Sequence, residues 1–291
     1  MIGHDLIRKL GPIGIWSLEM RFGDKGEAGE AAAEIEELGF SALWMPGGIE
    51  GGALGDVDSL LAATKDIVIG VGILNIYKED PAEIADWWRA QSQHDQGRLL
   101  LGLGVSHGPI IGETYGKPLA AMRGYLDRLD AAGMPGDSMC LAALGPKMLE
   151  LARERTLGSH PYLSTAQHTR MARDVLGPGK LLAPHVCVVL ETDPDKARAM
   201  AREAMKGYLQ LPNYVNNWLR SGFTQADVDT MSDRLVDAVF AWGSMERIAA
   251  HIRAHLDAGA DHVCLQATQG SFSPDFSAAR AAARRLAGAL L

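Results

Sequence analysis

His107 stands at the end of the run RLLLGLGVSHGP, residues 98–109, where a stretch of leucines opens into Ser106, His107 and Gly108. An imidazole titrates near neutral pH, so a histidine at such an exit can carry a proton to or from a bound substrate. Gly102 and Gly104 sit inside the apolar part of the run. Lacking side chains, they let another backbone or a flat ligand come close. His160, in HPYLS, is a second acid–base candidate, with an ordinary loop residue as its alternative.

The segment ALGPKM, residues 143–148, points to anion chemistry. A strand ending at Ala143 and Leu144 runs straight into a helix through Gly145 and Pro146. The free N–H groups of a helix start, at the positive end of its dipole, attract phosphate or carboxylate. Lys147 adds a mobile positive charge, and Met148 follows it. The alternative is an ordinary strand-to-helix turn, since neither GxGxxG nor a Walker pattern accompanies it. In VGILN, residues 71–75, Gly72 allows a backbone bulge that could support a planar ring; simple accommodation of sheet curvature is the other reading.

Other chemistries lack their residues. His251 and His255 are four apart, but Ile252 follows the first, so HExxH is absent and no metal site is expected. There is no GxSxG elbow and no CxxC pair. Cys140, Cys187 and Cys264 lie in apolar strand-like runs and read as reduced core residues. A formal charge of -8 argues against a nucleic-acid partner. No apolar run reaches membrane-spanning length, and the first residues lack a leader pattern, so a cytoplasmic protein is expected.

The elements that must position these groups alternate. Strands are expected at 13–17, 41–46, 67–77, 99–107, 139–144, 160–164, 184–191 and 261–267. Helices are expected between them, at 26–39, 56–66, 81–97, 118–133, 145–156, 165–177, 192–210, 244–260 and 277–291, with an insertion near 208–243. Eight such units in a chain of 291 residues, 47% of them apolar, predict one (β/α)8 barrel spanning 1–291; a doubly wound open sheet is the alternative. In a barrel the chemistry gathers at the carboxyl ends of the strands. That rule selects Trp16 and Ser17, residues 46–52, Asn75 and Tyr77, Ser106 and His107, residues 144–147, His160 and Tyr162, Glu191 and Gln266.

Taken in order, GPIGIWS, ELGFSALWMP, VIGVGILNIY, GRLLLGLGVSHGP, KPLAAMRGYLDRLD, LAALGPKMLELA, HPYLS and AGADHVCLQ resemble the luciferase-like monooxygenase superfamily, in particular its coenzyme F420-dependent branch. The resemblance implies a luciferase-like barrel, a homodimer, and the deazaflavin F420 at the carboxyl face; flavin mononucleotide is the alternative cofactor. It implies a cis peptide at Gly72–Ile73 behind the ring, with Asn75, Gly104 and Ser106 near it, the phosphate tail on residues 144–148, and His107 as the catalytic group. Trp16, Trp44, Tyr77 and His160 would shape the substrate pocket. The expected activity is hydride transfer between F420 and an organic substrate. An FMN monooxygenase and an F420-binding protein without turnover are the alternatives. Gly47 and Gly48 stand where related dehydrogenases carry an Asp-His pair, and Glu50 could substitute only if its loop folds inward. Glu79 and Asp80 stand where relatives often have Arg.

Overall fold

The computed structural model describes residues 2–48, 50–270 and 273–291, so Ile49 of the expected glycine-rich loop lies outside the described residues. Ten parallel strands form one sheet: β1 (Ile13–Trp16), β2 (Ala42–Met45), β3 (Val68–Asn75), β4 (Leu99–Gly104), β5 (Met139–Leu141), β6 (Gly158–Ser159), β7 (Leu181–Leu182), β8 (His185–Val189), β9 (Phe240–Trp242) and β10 (Val263–Ala267). Their order is β7-β6-β5-β4-β3-β2-β1-β10-β8-β9. The strands are buried on both faces, as a parallel sheet covered by helices requires; all six residues of β4 and all five of β8 are buried.

The sheet curls because β7 and β8 are pieces of one run. Pro184 lacks an N–H and interrupts the ladder between them. On one side of this run Leu181, Ala183 and His185 donate their amides to the carbonyls of Leu157, Ser159 and Pro161 at 2.8–2.9 Å. On the other, the carbonyls of Leu182 and Pro184 accept from Asp261 and Cys264 at 2.9 and 3.0 Å. Ten strands stand in place of the eight expected for two reasons: β7 precedes the expected seventh strand across Pro184, and β9 arises inside the 208–243 insertion. The sixth lies at Gly158–Ser159, ahead of its expected place. Residues 160–164, expected as strand, form a loop after it.

Helix differences have local causes. The 81–97 helix ends at Ala90, and Ser92 caps a separate short turn by accepting from the Asp95 amide. The 192–210 helix ends at Met205 and tightens into a 3-10 turn over Lys206–Gln210. Helix Ile2–Leu10 was not expected from the sequence.

Arg98 fixes the start of β4. It is 2% exposed, and its guanidinium donates to Leu61 O (2.7 Å) and Thr64 Oγ1 (2.8 Å) while pairing with Asp95 at 2.8 Å. A buried cation is tolerable only with such partners. Inside the sheet Trp44 stacks on His160 at 4.4 Å and donates Nε1–H to His262 Nε2 at 3.1 Å; Tyr162 stacks on His185 at 4.0 Å.

Candidate functional site

The site is built around an irregularity in β3. Pairing with β4 shifts register between Val71 and Leu74, and the Gly72–Ile73 peptide is cis, as the resemblance implied. Glycines on neighbouring segments make room for this bulge. A Cβ on Gly102 would collide with Val71 O and lie 2.9 Å from Ile73 Cγ2. One on Gly104 would lie 2.5 Å from Ile73 Cδ1, and one on Gly47 would run into Ile73 O. Beneath, a Cβ on Gly72 would lie 2.6 Å from His160 Nε2. The glycines of LGLG therefore admit the Ile73 side chain and the Val71 backbone.

Two cavities meet over the bulge and share Ile73, Ser106 and His107. The first, about 310 Å³, runs along Gly104–His107, Ala142–Gly145 and Met148 to Asn213, Asn216 and Arg220. The second, about 480 Å³, is lined by Pro46–Gly48, Gly72, Ile73 and Asn75 on one side, and by Glu203, Ala204, Gly207, Tyr208 and Leu211 on the other. Each lies within the range of small-molecule sites. Ser106 adopts φ 53°, a left-handed backbone uncommon outside glycine, as the chain turns from β4 into the site.

His107 borders both cavities. Its ring lies 5.6 Å from that of Tyr214, and its Nδ1 is shielded from solvent without a hydrogen-bond partner. Burial pulls its pKa below the ordinary histidine value, while the Asn213 side chain favours the protonated form.

Helix Pro146–Arg155 begins at Gly145 beside the first cavity. Arg220 reaches the same place: its Nη2 donates to Leu144 O at 3.4 Å. No carboxylate pairs with Arg220 among the described residues, and partial desolvation lowers its pKa. No Asp or Glu lines this cavity. The Leu144 carbonyl is also held by His168 Nε2 at 3.1 Å. Pro146 and Lys147 are exposed and line neither cavity, because the helix turns them outward.

The four residues expected in the substrate pocket line neither cavity. Trp44 and His160 are locked in the interior stack below β3, and Trp16 packs edge-on to His185 at 5.4 Å. Tyr77 acts at a distance, donating to Tyr115 O at 2.5 Å; Tyr115 itself borders the first cavity. Glu50 points away, with a side chain 85% exposed and 3.6 Å from Lys78. The Glu79-Asp80 departure also has local work. Glu79 accepts from the Gly52 amide at 2.9 Å and tethers the glycine-rich loop, while Asp80 caps helix Pro81–Ala90. Arg21 holds the same loop through Gly51 O at 2.7 Å.

Sequence reasoning missed Arg220, Asn213, Tyr214 and Tyr208. All come from the insertion, where periodicity shows helices but not which face meets the sheet. Tyr162, selected by its place after a strand, does border the first cavity; it donates to Gln266 Oε1 at 3.2 Å and accepts from Tyr208 at 3.2 Å.

The sequence profile described as luciferase-like monooxygenase matches residues 13–262. A 5,10-methylenetetrahydromethanopterin reductase of Archaeoglobus fulgidus is 24% identical over 290 aligned positions, covering 78% of this chain and 85% of the relative. Among solved structures, an F420-dependent secondary alcohol dehydrogenase in complex with an F420-acetone adduct superposes with TM-score 0.71 at 16% identity, covering 97% of this chain and 99% of the other. The FMN complex of the oxygenating constituent of 3,6-diketocamphane monooxygenase from Pseudomonas putida gives 0.65 at 14% identity, covering 97% and 99%. At such identities the two structures establish a shared fold. With most of its length matched by the profile, the chain belongs to the luciferase-like monooxygenase family.

Proposed function

We propose that this protein is an oxidoreductase using the deazaflavin F420, with its ring over Gly72–Ile73 and its phosphate tail at the Gly145 helix start, on an eight-unit barrel spanning 1–291. The observation that carries this reading is the charge distribution of the joined cavities. One end offers a helix start and a guanidinium with no carboxylate partner among the described residues, as an anionic tail needs. The fit extends to the shared wall, where His107 Nδ1 lacks a protein partner. The F420-dependent enzyme of the same fold is consistent with this reading.

When bound, the cofactor supplies hydride chemistry that side chains lack. Arg220 and the Gly145 helix start would hold the charged tail. Ile73, with Gly104 leaving it room, would give the ring an apolar support. His107, neutral near pH 7 because it is buried, would take a proton from a substrate hydroxyl, or return it to a carbonyl in the reverse direction. Asn213 would steady the imidazole, and Tyr115, held by Tyr77, would limit water entry.

The anionic end would serve the terminal phosphate of flavin mononucleotide equally, so the test is a paired titration of cofactor-free protein with F420 and with FMN, followed by fluorescence. Selective F420 binding is expected; selective FMN binding would make the protein a flavin monooxygenase, and binding of neither would end the reading. The same reading expects a cytoplasmic homodimer, whose assembly state sedimentation velocity measures.

A further inference from the structure

We propose that the second cavity is the substrate side and that it takes an uncharged, largely apolar molecule with a single hydroxyl or carbonyl group, excluding phosphorylated and carboxylated compounds. This deepens the F420 reading and rests on it for the role of the neighbouring cavity.

The argument is one of charge and shape. Among the described residues no Lys or Arg lines the 480 Å³ cavity, so a phosphate or carboxylate entering it would lose water without gaining a counter-charge. Its one carboxylate, Glu203, stands on the rim with a side chain 67% exposed and is paired with Lys206 at 4.0 Å, so the pair adds no free cation to the cavity. The walls are mainly apolar or side-chain-free: Ile73, Ala204 and Leu211 face Gly47 and Gly48. Gly47 cannot carry an acid or base of its own, because any Cβ there meets Ile73 O. The substrate's polar group would then meet only uncharged polar side chains, those of Asn75, Ser106, His107 and Tyr208. The two cavities thus divide the charge, the cationic end serving the cofactor and the uncharged end serving the substrate.

Gly207 offers a way to test the cavity without disturbing the core. It lies on the exposed turn Lys206–Gln210, and a Cβ built there meets nothing within 4 Å. A Gly207→Trp side chain has room to enter the cavity while the residues around Gly145 stay as they are.

The experiment compares matched pairs: a neutral secondary alcohol or its ketone, and the same carbon skeleton ending in a carboxylate or phosphate. Each is titrated into cofactor-free protein and into protein loaded with F420 or with FMN. Binding is read by thermal shift and intrinsic fluorescence, and turnover by cofactor absorbance. The neutral member is expected to bind at least tenfold more tightly, and Gly207→Trp to weaken it tenfold or more while cofactor affinity stays within twofold. Equal or better binding of the charged member, or unchanged substrate binding in Gly207→Trp, would overturn the proposal. Failure of F420 to bind would condemn the cofactor reading separately, because the charge preference is also read with FMN and without cofactor.

Discussion

Gly47 faces the carbonyl oxygen of Ile73 so closely that a Cβ built on it would collide with that oxygen, leaving no room for a side chain between the chain after β2 and the bulge of β3. Gly47→Ala is expected to destabilise the protein by about 1–3 kcal/mol, the usual cost of overpacking a tight site. Chemical denaturation should show a lower midpoint with an unchanged slope. Gly124→Ala is the control: it sits on the exposed face of helix Pro118–Ala131 with open space around it, and should gain about 0.5–1 kcal/mol. An unaltered midpoint in Gly47→Ala would show that the contact is slack.

His107→Ala should lower turnover of an identified substrate by about 10²–10⁴-fold, the range for losing a general acid–base group. Because burial depresses the histidine pKa, the acid limb of the wild-type rate should lie at lower pH than an ordinary histidine would give, as the imidazole becomes protonated. Full turnover in the variant would remove His107 from the mechanism.

Arg220→Gln should weaken binding of the intact phosphate-bearing cofactor about 10–100-fold, the worth of a charge-assisted contact of about 1.5–3 kcal/mol. A deazaflavin lacking the tail should bind wild type and variant alike. Equal losses for both ligands would mean that Arg220 supports the fold of the cavity and not the tail.

Five histidines are fully buried: His160, His168, His185, His255 and His262. Burial lowers them all, to about 4 for His160, His168 and His262, and about 3 for His255, with His185 well below its ordinary value. Their folded pKa values lie below the unfolded value near 6.5, so their contribution is fully present above pH 6.5. It is lost as pH falls, because the unfolded chain then binds more protons. Each adds up to about 1.4 kcal/mol of destabilisation per pH unit in that window. Urea midpoints should therefore drop steeply between pH 6.5 and 4.5; a flat profile there would contradict the assignment of neutral buried imidazoles.

Much of the frame was legible because strands buried on both faces leave continuous apolar runs. LLLGLG starts at Leu99 as expected but ends at Gly104, three residues early, HVCVV lies within the expected 184–191, and the turn at Gly145 was recognised by its proline at the helix start. The bulge was signalled by Gly72. What the residues alone did not disclose was direction. Trp44 and His160 end up beneath β3, and the side of the sheet on which an aromatic ring packs depends on pairing register, which no local pattern carries. Two-residue strands such as β6 and β7 leave too few positions for a period, and Pro184 masks the continuity of β7 with β8. Arg220 stayed hidden because its partner, Leu144 O, is a backbone atom 76 residues away.

Residues 203–220 form one contiguous ribbon that rims both cavities, from Glu203 and Gly207 at one end to Arg220 at the other. Much of the remaining lining comes from strand ends whose glycines, Gly47 and Gly104, are committed to packing around Ile73 and cannot vary freely. Variation is thereby eased in a single cassette: exchanging this ribbon alone would change what enters each cavity, while the backbone contacts around Ile73 stayed intact.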